Sequence, residues 1–329
     1  MSEPSALPST ILVADIGGTN ARFALTTTGE ARPPLHHLQQ VATADFASLS
    51  DALRGYLREH HGKASRAVIA VASPVAGDAI KITNNPWAFS IRQLAVDIGM
   101  PVEVINDFTA MASVLPALQR QDLESIGDVP PPAERAESTS RCYAVVGPGT
   151  GLGVGGVIVR KGHAAVIQSE GGHVGFAPGT PFEIELLRVL LPRFGRVSAE
   201  RLISGSGLSN LHQAVCEVEG LASTTMSAAE ISAAARENPD SPSARTLSVF
   251  AELLGSFAGD VALALGAWDG VLLPGGVTQK LLPWIEAGGF RRRFEDKGRH
   301  SAILKRIPTD VIVHPQAGLL GAAVHAVSG

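Results

Sequence analysis

Asp15-Ile16-Gly17-Gly18-Thr19-Asn20-Ala21-Arg22 lies between two apolar runs, Ile11–Ala14 and Phe23–Leu25. Both flanks read as short strands, so the stretch is a strand, a glycine turn and a second strand. A second unit of this kind, Gly147-Pro148-Gly149-Thr150-Gly151-Leu152-Gly153, separates Ala144–Val146 from Val154–Val159. No sequence repeat accompanies the pair, yet one such turn in each half points to a duplicated fold. Glycine lets backbone N–H groups approach an anion, through positive φ or the missing Cβ, and Thr19 and Thr150 add hydroxyl donors. One turn alone would read as a tight hairpin with no ligand. Two, each carrying threonine, favour phosphate.

Outward from the first turn, strand-like segments follow at Arg22–Thr26, Ala67–Ala72, Ala79–Thr83 and Val102–Ile105, with helical spacing over Ala47–His60 and Phe108–Leu118. Gln119–Arg141 is polar, carries Pro130, Pro131 and Pro132, and reads as a long loop near a domain boundary. Beyond it come strands at Tyr143–Val146, Val154–Val159 and Ala164–Ile167, then helices at Glu183–Arg193, Leu208–Val218, Ala228–Arg236 and Ala244–Gly266. Strands at Val271–Leu273 and Val311–His314 and a small-residue helix at Leu319–Val327 close the chain. The alternation specifies an α/β class. A length of 329 residues implies two domains at about 150 residues each.

Hydrophobic residues make up 45% and charged residues 18%, which excludes a disordered chain. With 27 basic and 31 acidic residues the net charge is −4, without the basic excess of many nucleic-acid binders. Two cysteines, Cys142 and Cys216, exclude a disulfide scaffold and a four-thiolate zinc site. Met1–Thr10 lacks a basic region before the first apolar run, and the uncharged stretch Cys142–Val159 contains six glycines and Pro148, a poor lipid-facing helix. The expectation is a soluble cytoplasmic protein that binds neither nucleic acid nor membrane. Gly151–Gly156 fits the dinucleotide pattern G-x-G-x-x-G but runs into the β-branched Val157-Ile158-Val159 instead of opening a helix, and no P-loop pattern occurs.

Asp107 follows the strand Val102–Ile105 and precedes a helix, which suits a ligand site at a strand's carboxyl end and equally a helix N-cap. Asp15 either satisfies its own turn or serves magnesium through water beside a phosphate cradle. Glu170-Gly171-Gly172-His173 places an acid and an imidazole around a glycine turn, suited to sugar hydroxyls or, with further ligands, to a metal. His36-His37 and His60-His61 read as solvated, and Arg291-Arg292-Arg293 with Glu295 and Asp296 as an exposed mixed-charge face.

Taken in order, Asp15–Arg22, Thr83–Ser90 (TNNPWAFS), Asn106–Ala110 (NDFTA), Gly147–Gly153, Glu170–Pro178 (EGGHVGFAP), Ser198–Gly207 (SAERLISGSG), Gly275–Val277 and Phe294–Gly298 (FEDKG) span nearly the whole chain. The ordered set resembles the bacterial glucokinase family, on the fold shared by hexokinase, actin and the Hsp70 ATPase domain. The resemblance implies two ribonuclease-H-like α/β domains flanking a cleft, residues 1–117 completed by the C-terminal helix 315–329, and residues 118–314. It implies transfer of phosphate from ATP, with magnesium, to the 6-hydroxyl of D-glucose. Asp107 would be the catalytic base, and Asn106, Asp107, Glu170, His173 and Glu200 the sugar ligands. Asp15, Gly17, Gly18, Thr19, Asn20, Gly149, Thr150 and Gly151 would surround the ATP phosphates, Asp15 holding magnesium through water, and Gly275 and Gly276 would approach the adenosine. Homodimers are usual in such relatives.

Gly175 stands where relatives often carry an acid after EGGHV, and the cysteine-rich zinc motif of the repressor–ORF–kinase branch is absent. A kinase for another hexose or amino sugar, one that uses polyphosphate, and a non-catalytic sugar sensor are the alternatives. Asp107 beside Asn106 favours an enzyme.

Overall fold

The structure, a computed structural model, describes the chain except for residues 1–8, 61–63, 83–84, 131–138, 162, 223, 288 and 329. Contacts divide it into one unit of Met1–Arg120, Gly162–Val166 and His314–Gly329, and another of Gln121–Lys161 and Ile167–Val313.

The first unit is built on strands β1 (Thr10–Ile16), β2 (Asn20–Thr27), β3 (His36–Ala42) and β4 (Arg66–Val71), the small hairpin of β5 (Ala79–Lys81) and β6 (Ala88–Ser90), and β7 (Val102–Asn106). The main sheet has the order β3-β2-β1-β4-β7, with β1, β4 and β7 parallel and β2 and β3 antiparallel to their neighbours. Register aligns Ile16 with Val71 and Val71 with Asn106, so the three parallel strands end together. Helices α1 (Leu49–Glu59), α2 (Ile91–Ile98) and α3 (Asp107–Ser113) accompany the sheet. Ser48 and Ser90 cap the first two, accepting the N–H of Asp51 and Gln93. The central strands β1, β2 and β4 are buried on both faces, one against α1 and α2 through residues such as Phe23, Leu53 and Leu94, the other against the C-terminal helix Ala317–Ser328 through Leu319, Ala322 and Ala323, while the edge strand β3 is largely exposed.

The second unit repeats the plan. Its sheet consists of β8 (Leu123–Ser125), β9 (Arg141–Pro148), β10 (Leu152–Arg160), β11 (His163–Ser169, of which Ile167–Ser169 fall in this unit), β12 (Gly270–Leu273) and β13 (Thr309–Ile312), in the order β11-β10-β9-β12-β13-β8. Without β8, this is the strand order of the first sheet, and the two glycine turns close equivalent hairpins, β1–β2 and β9–β10. Helices α4 (Pro181–Phe194), α5 (Gly205–Val218), α6 (Ala228–Glu237) and α7 (Pro242–Leu265) pack with the short α8 (Gly276–Lys280), α9 (Leu282–Glu286), α10 (Gly289–Glu295) and α11 (Ser301–Leu304) around one core. α7 is long and apolar enough to cross a membrane, but 61% of its apolar window is buried in this core.

Four expectations need correction. The helix expected over Phe108–Leu118 ends at Ser113 and gives way to a 3-10 turn, Leu115–Ala117, because Pro116 lacks an N–H and clashes with the preceding turn. The loop expected over Gln119–Arg141 contains β8, which pairs antiparallel with β13; Pro131 and Pro132 lie outside the described residues. His60 is not merely solvated: its ring lies 4.6 Å from that of Tyr56 and 5.0 Å from that of His37, while His61 lies outside the described residues. The arginine run is not an exposed face.

Only Arg292 of that run is exposed. Arg291 donates to the carboxylate of Glu295, the carbonyl of Ile307 and the hydroxyl of Thr309. Arg293 donates to both oxygens of Glu183 at 2.8 and 3.0 Å, with side-chain exposures of 6% and 3%. Glu183 also accepts the N–H of Gly179 at the start of α4, so the pair ties α10 to that helix. Removing one partner strands the other charge, and Arg293→Ala should lower unfolding stability by about 3–5 kcal/mol in urea titrations. A loss below about 1 kcal/mol would show that water reaches the pair.

Candidate active site

In the first unit the site residues gather where β1, β4 and β7 end. Asn106 is the N-cap of α3: its Oδ1 accepts the N–H of Phe108 at 2.9 Å, and its Nδ2 donates to the carbonyl of Ser73 just beyond β4. The cap role open to Asp107 therefore belongs to Asn106. Asp107 is the first helical residue, with Oδ1 2.8 Å from the N–H of Phe108.

Asp107 is half-buried. Withdrawal from water and the negative charge of Asp15 push its carboxyl up to about 6, against the opposing pull of the Phe108 amide, its own amide and Asn106. Asp15 is raised too, chiefly by burial, although Arg22 draws it down. Asp15 and Arg22 are paired residues of β1 and β2, and their side chains meet at 3.2 Å. Asp15 thus spends its carboxylate on Arg22 rather than on its own turn.

The first glycine turn is closed by the Gly17 N–H donating to Asn20 at 2.9 Å. Gly18 and Thr19 present their carbonyls to Thr43, and the Asn20 amide donates to the Thr19 hydroxyl. Asn85, 8% exposed, donates to the Gly17 carbonyl and accepts the N–H of Trp87. Asn85, in the TNNPWAFS segment, braces the turn from outside. Thr83 and Asn84 of that segment lie outside the described residues.

The second turn is closed in the same way, Gly149 N–H to Gly151 carbonyl at 2.8 Å, and the Gly149 carbonyl accepts the N–H of Gly205. Neither Gly149 nor Gly151 has a positive φ. The Gly17 and Gly149 amides are committed to the turns, which leaves those of Gly18, Thr19, Thr150 and Gly151 outside the turn-closing bonds. Thr19 and Thr150 are exposed. Gly275 is the residue before α8, and Gly276 begins that helix.

Glu170, His173 and Glu200 come together in the second unit. His173 Nε2 lies 3.8 Å from Glu170 Oε2 and its Nδ1 3.7 Å from Glu200 Oε1, while Arg196 donates to the His173 carbonyl. Gly171–His173 form a 3-10 turn laid flat on β10, where a Cβ on Gly172 would overlap the Leu152 carbonyl oxygen. A Cβ on Gly175 would meet nothing within 4 Å, so the missing acid leaves open space. Below this loop a cavity of about 360 Å³ is lined by Val154, Phe176, Leu253, Phe257 and Leu265. Its lining is too apolar for a sugar or a triphosphate.

Comparison with known proteins points to one family. The family described as Glucokinase matches residues 12–328. A glucokinase of Stenotrophomonas maltophilia (strain K279a) is 47% identical over 325 residues, 98% of this chain and 96% of that protein. Among solved structures, a glucokinase from an Antarctic psychrotroph is 35% identical with a TM-score of 0.86, covering 96% of this chain and 98% of that one. A repressor–ORF–kinase-family glucokinase from Streptomyces griseus, solved with glucose and AMPPNP, shares the fold at 18% identity and a TM-score of 0.61, covering 98% of this chain and 100% of that one.

The raised carboxyl of Asp107 has two consequences. The native state holds that proton more tightly than the unfolded chain, so stability falls as pH rises from the ordinary range near 3.8 to about 6, and the whole penalty is present above that. Asp107→Asn removes the penalty, and the ligand-free variant should melt at a higher temperature than the parent at about pH 8 and close to it at about pH 4. For the parent, kcat/KM should fall on the acid side with a midpoint near 6; a midpoint near 4 would mean that Asp107 stays hydrated.

Proposed function

The chain belongs to the glucokinase family, and from that premise, which makes it an enzyme of ATP-dependent glucose phosphorylation, we propose that Asp107 is the base for the sugar 6-hydroxyl. The observation that carries this is the Asp107 carboxyl at the end of β7, raised to about 6 by burial and Asp15. That value leaves it ionised at neutral pH and a better proton acceptor than a hydrated carboxylate. Phosphoryl transfer depends chiefly on positioning and charge stabilisation, so Asp107 first orients the hydroxyl and takes its proton late.

Glu170, His173 and Glu200 supply carboxylate acceptors and an imidazole with one donor and one acceptor site, a set matched to vicinal hydroxyls. Asn106 has a second amide hydrogen beyond its bond to Ser73 and can donate it to the sugar. The remaining amides of the two glycine turns, with the hydroxyls of Thr19 and Thr150, face phosphate oxygens, and Gly275 and Gly276 lie against the adenosine. Two neighbouring carboxylates, Asp15 and Asp107, each raised by burial, fit a hard cation with oxygen ligands, and Asp15 would hold magnesium through water. When bound, magnesium neutralises charge on the triphosphate. Cytoplasmic location and a homodimer complete the proposal: Cys142 and Cys216 are both free thiols, as a reducing compartment leaves them.

Coupled assays that cross a panel of hexoses and amino sugars with ATP, ADP and polyphosphate test the substrate pair, with fastest turnover expected for glucose and ATP. Asp107→Asn should reduce kcat by about 10²–10⁴-fold while glucose affinity changes little. An active variant would return Asp107 to a structural role. Glu170→Gln should weaken glucose binding by roughly 10- to 100-fold, with nucleotide affinity near that of the parent. Unchanged glucose affinity would remove Glu170 from the sugar site.

A further inference from the structure

We propose that Glu200 mechanically couples the sugar loop to the second glycine turn, so that a sugar held at one end of its carboxylate fixes the phosphate-binding backbone at the other. This rests on the reading that Glu170–His173 meets sugar and Gly147–Gly153 meets nucleotide.

The Glu200 carboxylate has two differently engaged oxygens. Oε1 lies 3.7 Å from His173, on the sugar side, while Oε2 accepts the N–H of Leu152 at 2.9 Å, on the turn side. Leu152 is the first residue of β10, next to Gly151. Its N–H donates to Glu200, and its carbonyl lies so close against Gly172 that a Cβ there would overlap the oxygen. One peptide segment is therefore the floor of the sugar loop and the root of the phosphate turn.

The segment carrying Glu200 grips the turn at a second point, through the Gly205 N–H and the Gly149 carbonyl at 2.8 Å. It is itself fixed by Ser204, whose hydroxyl donates to the Glu200 carbonyl and accepts the N–H of Gly207 as the N-cap of α5. Gly151 completes the device. A Cβ there would lie 2.5 Å from Glu200 Oε2, so the seated carboxylate requires glycine at 151. At Gly149 an added Cβ meets nothing within 4 Å. The two glycines of one turn thus have different reasons to be glycine. A methyl group at 151 must push the Glu200 carboxylate off Leu152 and disturb the oxygen that faces the sugar, although residue 151 touches no sugar itself.

The experiment compares Gly151→Ala with Gly149→Ala by calorimetric titration of glucose, with melting curves to establish that both fold. Gly151→Ala should weaken glucose binding by about tenfold or more, and Gly149→Ala, which adds no clash with Glu200, by clearly less. The second readout is linkage: saturating AMPPNP with magnesium should tighten glucose binding to the parent by about fivefold or more, and in Glu200→Gln that factor should collapse towards one. The linkage measurement decides the matter if Gly151→Ala does not fold. Equal glucose affinity in the two alanine variants, or a linkage factor of one in the parent, or an undiminished factor in Glu200→Gln, overturns the coupling. Failure of the underlying site reading looks different, because Glu170→Gln would then bind glucose as the parent does.

Discussion

The arrangement depends on one constraint: β1, β4 and β7 run parallel and stop in register, at Ile16, Val71 and Asn106. Parallel strands buried on both faces need connections that return along the sheet, and these end the strands at one rim where backbone and polar side chains are released from the apolar core. At that rim the chain carries Asp15, Ser73, Asn106 and Asp107. The hydrogen bond from Asn106 to the Ser73 carbonyl stitches the ends of β4 and β7, and the Asn106 cap starts α3 so that Asp107 is held in its first turn. Desolvation of Asp107 follows from that packing, and so does its raised pKa.

The second unit uses the same sheet plan for a different purpose. Its hairpin β9–β10 corresponds to β1–β2, but the polar groups around it come from loops brought in later in the chain, Glu170–His173 and Ala199–Arg201. Their placement relies on close backbone packing: the 3-10 turn lies flat on β10, and Glu200 reaches the Leu152 amide. Buried apolar residues from α4, α5 and α7 hold this scaffold in place, while the polar atoms that would meet ligand remain partly or largely exposed, 29% for Glu200 and 77% for Glu170.

Much of this was legible in the sequence. The central strands are continuous apolar runs, the glycine turns are conspicuous, and the ordered motifs identify the family and hence the fold. What escaped the reading depended on partners distant in the chain. β3 is polar, with Gln39, Gln40 and two histidines, because it is an exposed edge strand with no apolar alternation to announce it. β8 follows a polar stretch and is defined only by its pairing with β13. Arg293 is buried because Glu183, 110 positions away, is buried with it; the nearby Glu295 and Asp296 suggested a local surface cluster instead. The Asp15–Arg22 pair could have been read, since a hairpin closed over Gly17–Thr19 sets those two residues opposite one another. The steric reason for Gly151 could not, because it is the carboxylate of Glu200.

The central claim is that Asp107 is a desolvated carboxylate whose ionisation is coupled to Asp15. The most direct test is the carboxyl ¹³C shift of Asp107, followed by NMR in the ligand-free protein across about pH 3–8 and again in Asp15→Asn. The account predicts a midpoint near 6 in the parent and a lower one in the variant, where the negative charge of Asp15 is gone. A midpoint near the ordinary 3.8, unmoved by Asp15→Asn, would contradict it.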